Sequence, residues 1–148
     1  MEAILFIGIQ GSGKSTFYKE KYFNSHLRIS LDLLNTRNKE NQLLDFCLKF
    51  QQRLVIDNTN PTKKERAKYI QKLKERGFKI IGIYFETPLK IVLERNELRE
   101  GKAKIAKVGI LSTYKRMELP AFEEGFDELY TIHTAEENPQ LKKIKNEI

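Results

Sequence analysis

The segment near the start of the chain that says most about its structure is Ala3-Ile4-Leu5-Phe6-Ile7-Gly8-Ile9-Gln10-Gly11-Ser12-Gly13-Lys14-Ser15-Thr16. Its first part is a run of apolar residues, as in a buried strand, and its second part is a glycine-rich turn. A lysine and two hydroxyl residues then begin a segment that favours a helix. The stretch therefore predicts a strand, a tight turn and a helix in succession.

The turn has the spacing G-x-x-x-x-G-K-[ST], with Gly8, Gly13, Lys14 and Ser15 at the defined positions. Glycines let backbone N–H groups curl inward, and with the helix N-terminus they form a positive concavity for phosphate oxygens. Lys14 is expected to reach the β- and γ-phosphates of a nucleotide, and the Ser15 hydroxyl to hold Mg²⁺. A glycine-rich turn that carries a lysine by chance is the alternative, which the flanking strand and helix disfavour. The predicted nucleotide-binding residues of the loop are Gly11, Ser12, Gly13, Lys14, Ser15 and Thr16.

Length and composition favour one soluble domain, since the 148 residues are 40 % hydrophobic and 32 % charged. No apolar run approaches the roughly 20 residues that cross a bilayer, and no signal peptide is apparent, so we expect a cytoplasmic protein without membrane association. Cys47 is the only cysteine, and its apolar neighbours predict a buried thiol. The formal charge of +7 favours polyanionic partners, although a solvated lysine-rich surface would produce the same charge.

Predicted strands and helices alternate along the rest of the chain. The strands cover 27–31, 53–57, 79–85 and 129–133, and the helices cover 39–51, 61–76, 88–100 and 110–117. In the helix that follows Pro61, Asn60 is the predicted N-cap, and Ala67, Ile70 and Leu73 form the predicted buried face. The alternation predicts an α/β fold, a parallel sheet of about five strands with helices on both faces. Residues 1–135 are expected to form this domain, and 136–148 a charged tail or terminal helix.

Two carboxylates lie where predicted strands end. Ligands of such sheets bind outside the carboxyl ends of the strands, so Asp32 and Asp57 are expected to share a cleft with the loop. Asp32 is suited to accept a hydroxyl proton as general base, and a solvated loop aspartate is the alternative. Asp57 is expected to hold a magnesium-bound water or to fix the neighbouring loop, with helix capping by residues 57–60 as the rival role.

Arg95 precedes, and Arg99 begins, a basic segment, 99–109, that we predict to be a lid. Arg95 and Arg99 are four residues apart and so share a helix face. One guanidinium is expected to neutralise the transferring phosphoryl group while the other packs against the base. Alternatively, both pair with Glu94 and Glu97 or stay solvated.

From Gly8 to about Ile132 the chain resembles the P-loop polynucleotide kinases. The resemblance is carried by 11–16, by the Asp32 position, by 57–60, by Arg95-Asn96 with Arg99, and by Pro120 through 123–127. It implies a single-domain P-loop kinase fold and transfer of the ATP γ-phosphate to a 5′-hydroxyl of DNA or RNA in nucleic-acid repair. It further implies ATP and Mg²⁺ as cofactors, with Lys14 and Ser15 on ATP, Asp32 as the base, Arg99 as the lid arginine and Arg95 on the nucleotide.

The chain departs from that family in two ways. An arginine expected three residues after the catalytic aspartate is replaced by Asn35, and the stretch between Asp32 and Asp57 has room for only one helix. The missing cation would touch the acceptor's phosphate or the reacting phosphoryl group. Arg37 and Arg28 are the candidates to compensate, although neither has the family's spacing. The shorter stretch favours a more open channel, a smaller substrate or a different acceptor.

Two other functions therefore stay open. One is a P-loop kinase for another alcohol, such as a sugar, a nucleoside or an aminoacyl-tRNA. The other is a nucleotide-dependent switch that binds nucleotide without phosphorylating a partner. No guanine-reading N-K-x-D run is present in the sequence, so ATP is expected rather than GTP. The sequence identifies no protein partner.

Overall fold

The structure, a computed structural model, describes residues 1–146 and contains one six-stranded sheet. The strands are β1 (Glu2–Ile7), β2 (Leu27–Ile29), β3 (Leu54–Asp57), β4 (Lys79–Phe85), β5 (Glu128–Ile132) and β6 (Lys142–Ile144). Their order is β2-β3-β1-β4-β5-β6, and all neighbours are parallel except β5 and β6. The predicted α/β fold with a parallel sheet is confirmed.

Helices connect the strands. They are α1 (Lys14–Lys21), α2 (Leu31–Leu34), α3 (Arg37–Phe50), α4 (Lys63–Glu75), α5 (Leu89–Glu97) and α6 (Lys107–Arg116), with short 3₁₀ turns at Gly101–Ala103 and Phe122–Glu124. The α3 helix begins where the Thr36 hydroxyl accepts a hydrogen bond from the Lys39 amide, which satisfies an amide that the helix leaves free.

The sheet is buried on both faces because its central strands are apolar at most positions. In β1, Leu5 and Ile7 pack into the core beneath α3 and α4, whereas Ile4 and Phe6 pack on the opposite face. A strand covered on both sides reads as a continuous apolar run rather than an alternating one. The thiol of Cys47 is fully buried, which confirms the prediction from the sequence. This burial raises the pKa of the Cys47 thiol to about 11.

The start of α4 differs from the prediction. The N-cap is Thr62, whose hydroxyl accepts from the Glu65 amide, so the helix begins at Lys63 rather than at Pro61. Asn60 instead adopts a left-handed conformation with φ 45°, which asparagine tolerates, and its side-chain amide donates to the Phe6 carbonyl at 2.7 Å.

The buried face of α4 also differs by one position. Ile70 and Leu73 are buried as predicted, but Ala67 is exposed and Arg66 is buried instead. Residues 66, 70 and 73 form one buried stripe at helical spacing. The charged side chain of Arg66 is stable at its buried position because it is paired with Glu124.

The tail contains a strand and no terminal helix within the described part, which ends at residue 146; residues 147 and 148 lie outside it. Residues 142–144 pair antiparallel with β5, and Ile144 packs against the core. Lysines at the free edge of a sheet discourage further strand pairing, which explains why a charged segment forms the last strand. In the same described part, no helix is long and apolar enough to cross a membrane.

Candidate active site

The glycine loop follows β1 and leads directly into α1. Gly11 and Gly13 have φ values of 75° and 94°, which residues with a side chain rarely adopt. A Cβ on Gly13 would lie 2.9 Å from the Thr134 methyl carbon. Both positions therefore require glycine. The loop lines a cavity of about 160 Å³ at the carboxyl edge of the sheet, which is where the sequence predicts the cleft.

Lys14 supplies a buried cation at this cavity. Its ammonium donates to the carbonyls of Gly8 at 2.8 Å and Ile9 at 2.7 Å, within its own loop. Burial lowers the pKa of Lys14 to about 8, and the negative charges of Asp57 and Asp32 partly oppose that shift. The amine is thus mostly protonated at pH 7, loses its proton above about pH 8, and gains from any anion that enters the loop.

Asp57 lies at the end of β3 beside Ser15. The Ser15 hydroxyl donates to Asp57 Oδ2 at 3.2 Å, and Arg28 from β2 donates to the same oxygen at 2.8 Å. A hydroxyl and a carboxylate are hard oxygen ligands of the kind that Mg²⁺ prefers. No group of three or more His, Cys, Asp or Glu side chains suited to a metal occurs in residues 1–146, so further ligands would have to come from nucleotide phosphates and water.

Asp32 lies in α2 and lines two cavities at once. One is the loop cavity, which it shares with Lys14, Ser15, Asp57 and Arg99. The other is a neighbouring cavity of about 380 Å³ between α2 and α4. The structure therefore brings the predicted catalytic carboxylate to the border between the nucleotide loop and a second open space.

The second cavity is basic. Its charged lining consists of Asp32, Arg37, Glu65, Lys68 and Arg116, so three cations face two carboxylates. Of the three cations in this lining, Arg37 is the closest in sequence to Asp32. Arg37 is paired with Glu40 at 3.1 Å and Arg116 with Glu65 at 3.5 Å, so these cations offer an anionic ligand positioned hydrogen-bond donors rather than a large excess of charge.

A buried hydrogen-bond network that was not predicted from the sequence supports α2. Glu40 in α3 is fully buried, and its Oε1 accepts from the Tyr69 hydroxyl at 2.7 Å and from Arg37 at 3.1 Å. Its Oε2 accepts from the Asn58 amide at 2.9 Å, and Asn58 Oδ1 accepts from the Leu31 amide at 2.9 Å. The network thus ties the residue before Asp32 to the end of β3. Burial, and secondly Glu40, raises the pKa of Tyr69, which keeps its phenol protonated.

The sequence held one signal of this network. Residues 40, 44 and 47 form the buried stripe of α3 at helical spacing, and the first of them is a glutamate. A carboxylate at a core position requires buried partners.

Arg66 and Glu124 form a second buried pair that the sequence analysis did not predict. Arg66 is fully buried and donates to both oxygens of Glu124, at 2.8 and 3.0 Å, and to the Asn60 carbonyl at 2.8 Å. Within the 123–127 motif, Asp127 accepts from the Ile80 amide at 2.8 Å. Through Arg66, Glu124 therefore supports the loop at Asn60 that borders the second cavity, whereas Asp127 fixes the start of β4.

Arg95 and Arg99 lie at the end of α5 and just beyond it. Arg99 lines the loop cavity, whereas Arg95 donates to the Thr134 carbonyl at 3.1 Å. Both line a third cavity of about 300 Å³, together with Gly13, Thr16, Phe17, Glu20, Thr134 and Pro139. Across residues 1–146, neither arginine forms a salt bridge with Glu94 or Glu97.

Asn96 anchors the predicted lid segment to α5. The side-chain amide of Asn96 donates to the Ile105 carbonyl at 2.6 Å and accepts from the Ile105 amide at 2.9 Å. Ile105 lines both the loop cavity and the second cavity. Asn96 therefore fixes the residue of the segment that lies over the site.

The backbone conformation at position 35 explains why this chain has asparagine there rather than arginine. Asn35 ends α2 with φ 71°, a left-handed conformation that asparagine accepts more readily than arginine. It is exposed, and its amide donates to the Leu33 carbonyl at 3.4 Å. Of the two cations considered as replacements, Arg37 lines the second cavity and Arg28 is bound to Asp57 and Ser15.

The parallel sheet with a glycine loop and buried lysine after its central strand defines a P-loop nucleotide-binding domain of the kinase type. Residues 4–119 match the AAA domain family, and the chain belongs to that family.

Relatives in sequence are longer proteins. The bifunctional polynucleotide phosphatase/kinase of Schizosaccharomyces pombe is 28% identical over 129 residues, which are 84% of this chain and 32% of that protein. The putative bifunctional polynucleotide phosphatase/kinase of Acanthamoeba polyphaga mimivirus is 31% identical over 138 residues, 88% of this chain and 33% of that protein. The chain thus spans about a third of the length of these relatives.

Solved structures share the fold. Kti12 of Chaetomium thermophilum, in complex with ADP-AlF3, superposes with a TM-score of 0.73 at 15% identity over 92% of this chain and 91% of that one. A gluconokinase from Sinorhizobium meliloti 1021 superposes with a TM-score of 0.64 at 15% identity over 92% and 84% of the two chains.

Proposed function

We propose that this chain is an ATP-dependent polynucleotide kinase that phosphorylates a 5′-hydroxyl end of DNA or RNA. The observation that carries the proposal is the position of Asp32, which borders both the loop cavity and the basic cavity beside it. A residue at that border is suited to act between a phosphate donor and a hydroxyl acceptor. The similarity to two polynucleotide phosphatase/kinases supports the same class of acceptor.

The donor side follows from the loop. Backbone amides of Gly11, Ser12 and Gly13 and the N-terminus of α1 would bind the phosphates of ATP, with Lys14 on the β- and γ-phosphates. Thr16 and Arg95 line the third cavity, which is where the rest of the nucleotide would extend from the loop. Arg95 is the proposed contact to the base.

The transfer step follows from the carboxylate. As the acceptor oxygen attacks the γ-phosphorus, the Asp32 carboxylate takes the hydroxyl proton, the bond to the β-phosphate oxygen breaks, and ADP leaves. Lys14 and Arg99 would stabilise the negative charge that spreads over the transferring oxygens. Ser15 and Asp57 would hold Mg²⁺, which when bound neutralises charge on the β- and γ-phosphates.

The acceptor side is the basic cavity. We propose that Arg37 replaces the arginine that the chain lacks at position 35 and binds the acceptor's phosphate. Glu40 and Tyr69 hold Arg37, at 3.1 and 3.0 Å, so its guanidinium is positioned before a ligand arrives. Lys68 and Arg116 would bind further phosphates of the strand.

The test is a substrate panel. With γ-labelled ATP, 5′-hydroxyl oligonucleotides of DNA and RNA are expected to become labelled, whereas nucleosides and sugars without phosphate are not. Labelling of only a sugar or nucleoside would show a kinase for another alcohol. ATP binding without labelling of any acceptor would support a nucleotide-dependent switch. Either result overturns the proposed acceptor.

A further inference from the structure

The Arg28 guanidinium closes a triangle with the two residues proposed to hold the metal ion. Arg28 Nε donates to Asp57 Oδ2 at 2.8 Å, and Arg28 Nη2 donates to Ser15 Oγ at 2.9 Å. Ser15 Oγ in turn donates to Asp57 Oδ2 at 3.2 Å. The two oxygens suited to a divalent cation are therefore both bound to one guanidinium.

We propose that Arg28 occupies the place of the divalent cation in the nucleotide-free protein and is displaced when a metal–nucleotide complex binds. This inference rests on the proposed role of Ser15 and Asp57 as metal ligands. The proposed function requires neither Arg28 nor any order of binding. The inference adds Arg28 to the site and predicts the order in which metal and nucleotide bind.

The charge balance of the site explains why a cation is needed there. The Asp57 side chain is 2% exposed, and a buried carboxylate without a positive partner is costly. Lys14 attracts Asp57 through its charge, but its ammonium donates its hydrogen bonds to the carbonyls of Gly8 and Ile9 instead. Arg28 is the cation that forms a salt bridge with Asp57.

The guanidinium and a metal ion exclude one another. A divalent cation between the Ser15 hydroxyl and the Asp57 carboxylate would lie within hydrogen-bonding distance of the Arg28 guanidinium, and like charges at that distance repel strongly outside bulk water. Arg28 has room to leave, because β2 is an edge strand and the Arg28 side chain is 25% exposed.

An order of binding follows. Without nucleotide, Asp57 is neutralised by Arg28, so a metal ion gains little at this site. The phosphates of ATP bring further negative charge and further oxygen ligands, which make the exchange of Arg28 for the metal favourable. The metal therefore enters with the nucleotide rather than before it.

The test measures metal binding without any acceptor. Mn²⁺ affinity of the nucleotide-free protein, followed by the electron paramagnetic resonance signal of free Mn²⁺, is expected to rise about tenfold in Arg28→Gln, because the competing charge is gone. Arg53→Gln is the matched control, since Arg53 is an exposed arginine just before β3, at the opposite end of the strand from Asp57. The double variant R28Q/D57N is expected to lose the gain. Equal Mn²⁺ affinity in Arg28→Gln and the unmodified protein would overturn the proposal.

A second measurement needs no stable variant. In ¹⁵N spectra of the unmodified protein, the Arg28 Nε–H signal is expected to shift when Mg²⁺ and a non-hydrolysable ATP analogue are added together, and to stay in place with Mg²⁺ alone. An unchanged Arg28 signal while the glycine-loop amides shift would contradict the exchange. Both experiments are independent of the acceptor, so failure of the polynucleotide assignment would not affect either result.

Discussion

Lys14 shows how burial gives a single residue a measurable pH response. Its pKa is lowered to about 8 by burial in the free protein, whereas bound phosphates favour the protonated ammonium. Above that pH the free protein has lost the proton that the complex requires. Binding must then take up a proton, and affinity must fall as pH rises.

We expect ATP binding to be accompanied by little proton uptake at pH 7 and by about one proton at pH 9. Calorimetry in two buffers of different ionisation enthalpy measures the uptake. Lys19→Gln changes an exposed lysine of the same helix and should keep the response. Binding without proton uptake at pH 9 would mean that Lys14 is not the phosphate-binding cation.

Arg37 carries the proposed recognition of the acceptor. Arg37→Gln removes one charge-assisted contact to phosphate, so KM for a 5′-hydroxyl oligonucleotide should rise about tenfold while kcat and KM for ATP change little. Arg76→Gln, at an exposed position after α4, is the control and should leave the acceptor KM unchanged. An equal loss in both variants, or a loss confined to kcat, would remove Arg37 from the acceptor site.

At the scale of elements, the carboxyl edge of the sheet is held in place by pairs between distant helices and turns. Arg66 of α4 joins the Glu124 turn to the Asn60 carbonyl in the loop that borders the second cavity. The site therefore depends on a contact that involves no substrate.

Arg66→Met leaves Glu124 without its cation, and the Glu124 side chain is 8% exposed. Because breaking a buried pair from one side leaves an uncompensated charge, the free energy of unfolding should fall by about 3–5 kcal/mol, measured by urea denaturation. The double variant R66M/E124Q should recover part of the loss. A single variant as stable as the unmodified protein would show that the pair is not structural.

At the scale of the whole molecule, the positive charge of the second cavity predicts a salt response. With three proposed phosphate contacts, Arg37, Lys68 and Arg116, log kcat/KM for a single-stranded acceptor should fall with log salt concentration with a slope of about −2. Steady-state assays at saturating ATP measure the slope, and Arg37→Gln should reduce it. A flat response would show that phosphates do not contribute to acceptor binding.

The parts of the fold predicted from sequence are those set by local pattern. The apolar run of β1, the glycine loop and the strand-end position of Asp57 follow from short stretches and from the rule that ligands bind at the carboxyl edge. Asp32 reaches the same cleft but from a different element, since the strand predicted over 27–31 ends at Ile29 and Asp32 lies in α2. The pairs of Glu40 with Tyr69 and of Arg66 with Glu124 were not predicted, because each joins residues far apart in sequence.

The differences at Asn60 and in the tail have the same cause. Asn60 has the residue type of a helix cap, but its amide binds the Phe6 carbonyl on another strand. Lys142–Ile144 lacks an apolar pattern and becomes a strand only because the edge of β5 is available. The conformation of both segments is therefore determined by tertiary contacts rather than by local propensity.

Phosphoryl transfer by Asp32→Asn tests most directly whether Asp32 is the general base, because the proposal places its carboxylate between donor and acceptor. In single-turnover reactions with γ-labelled ATP and a 5′-hydroxyl oligonucleotide, the rate should fall by about 10² to 10⁴-fold while ATP affinity stays unchanged. Asp45→Asn, at an exposed position on α3, should react at the unmodified rate. Transfer by Asp32→Asn at the unmodified rate would show that the Asp32 carboxylate is not the general base.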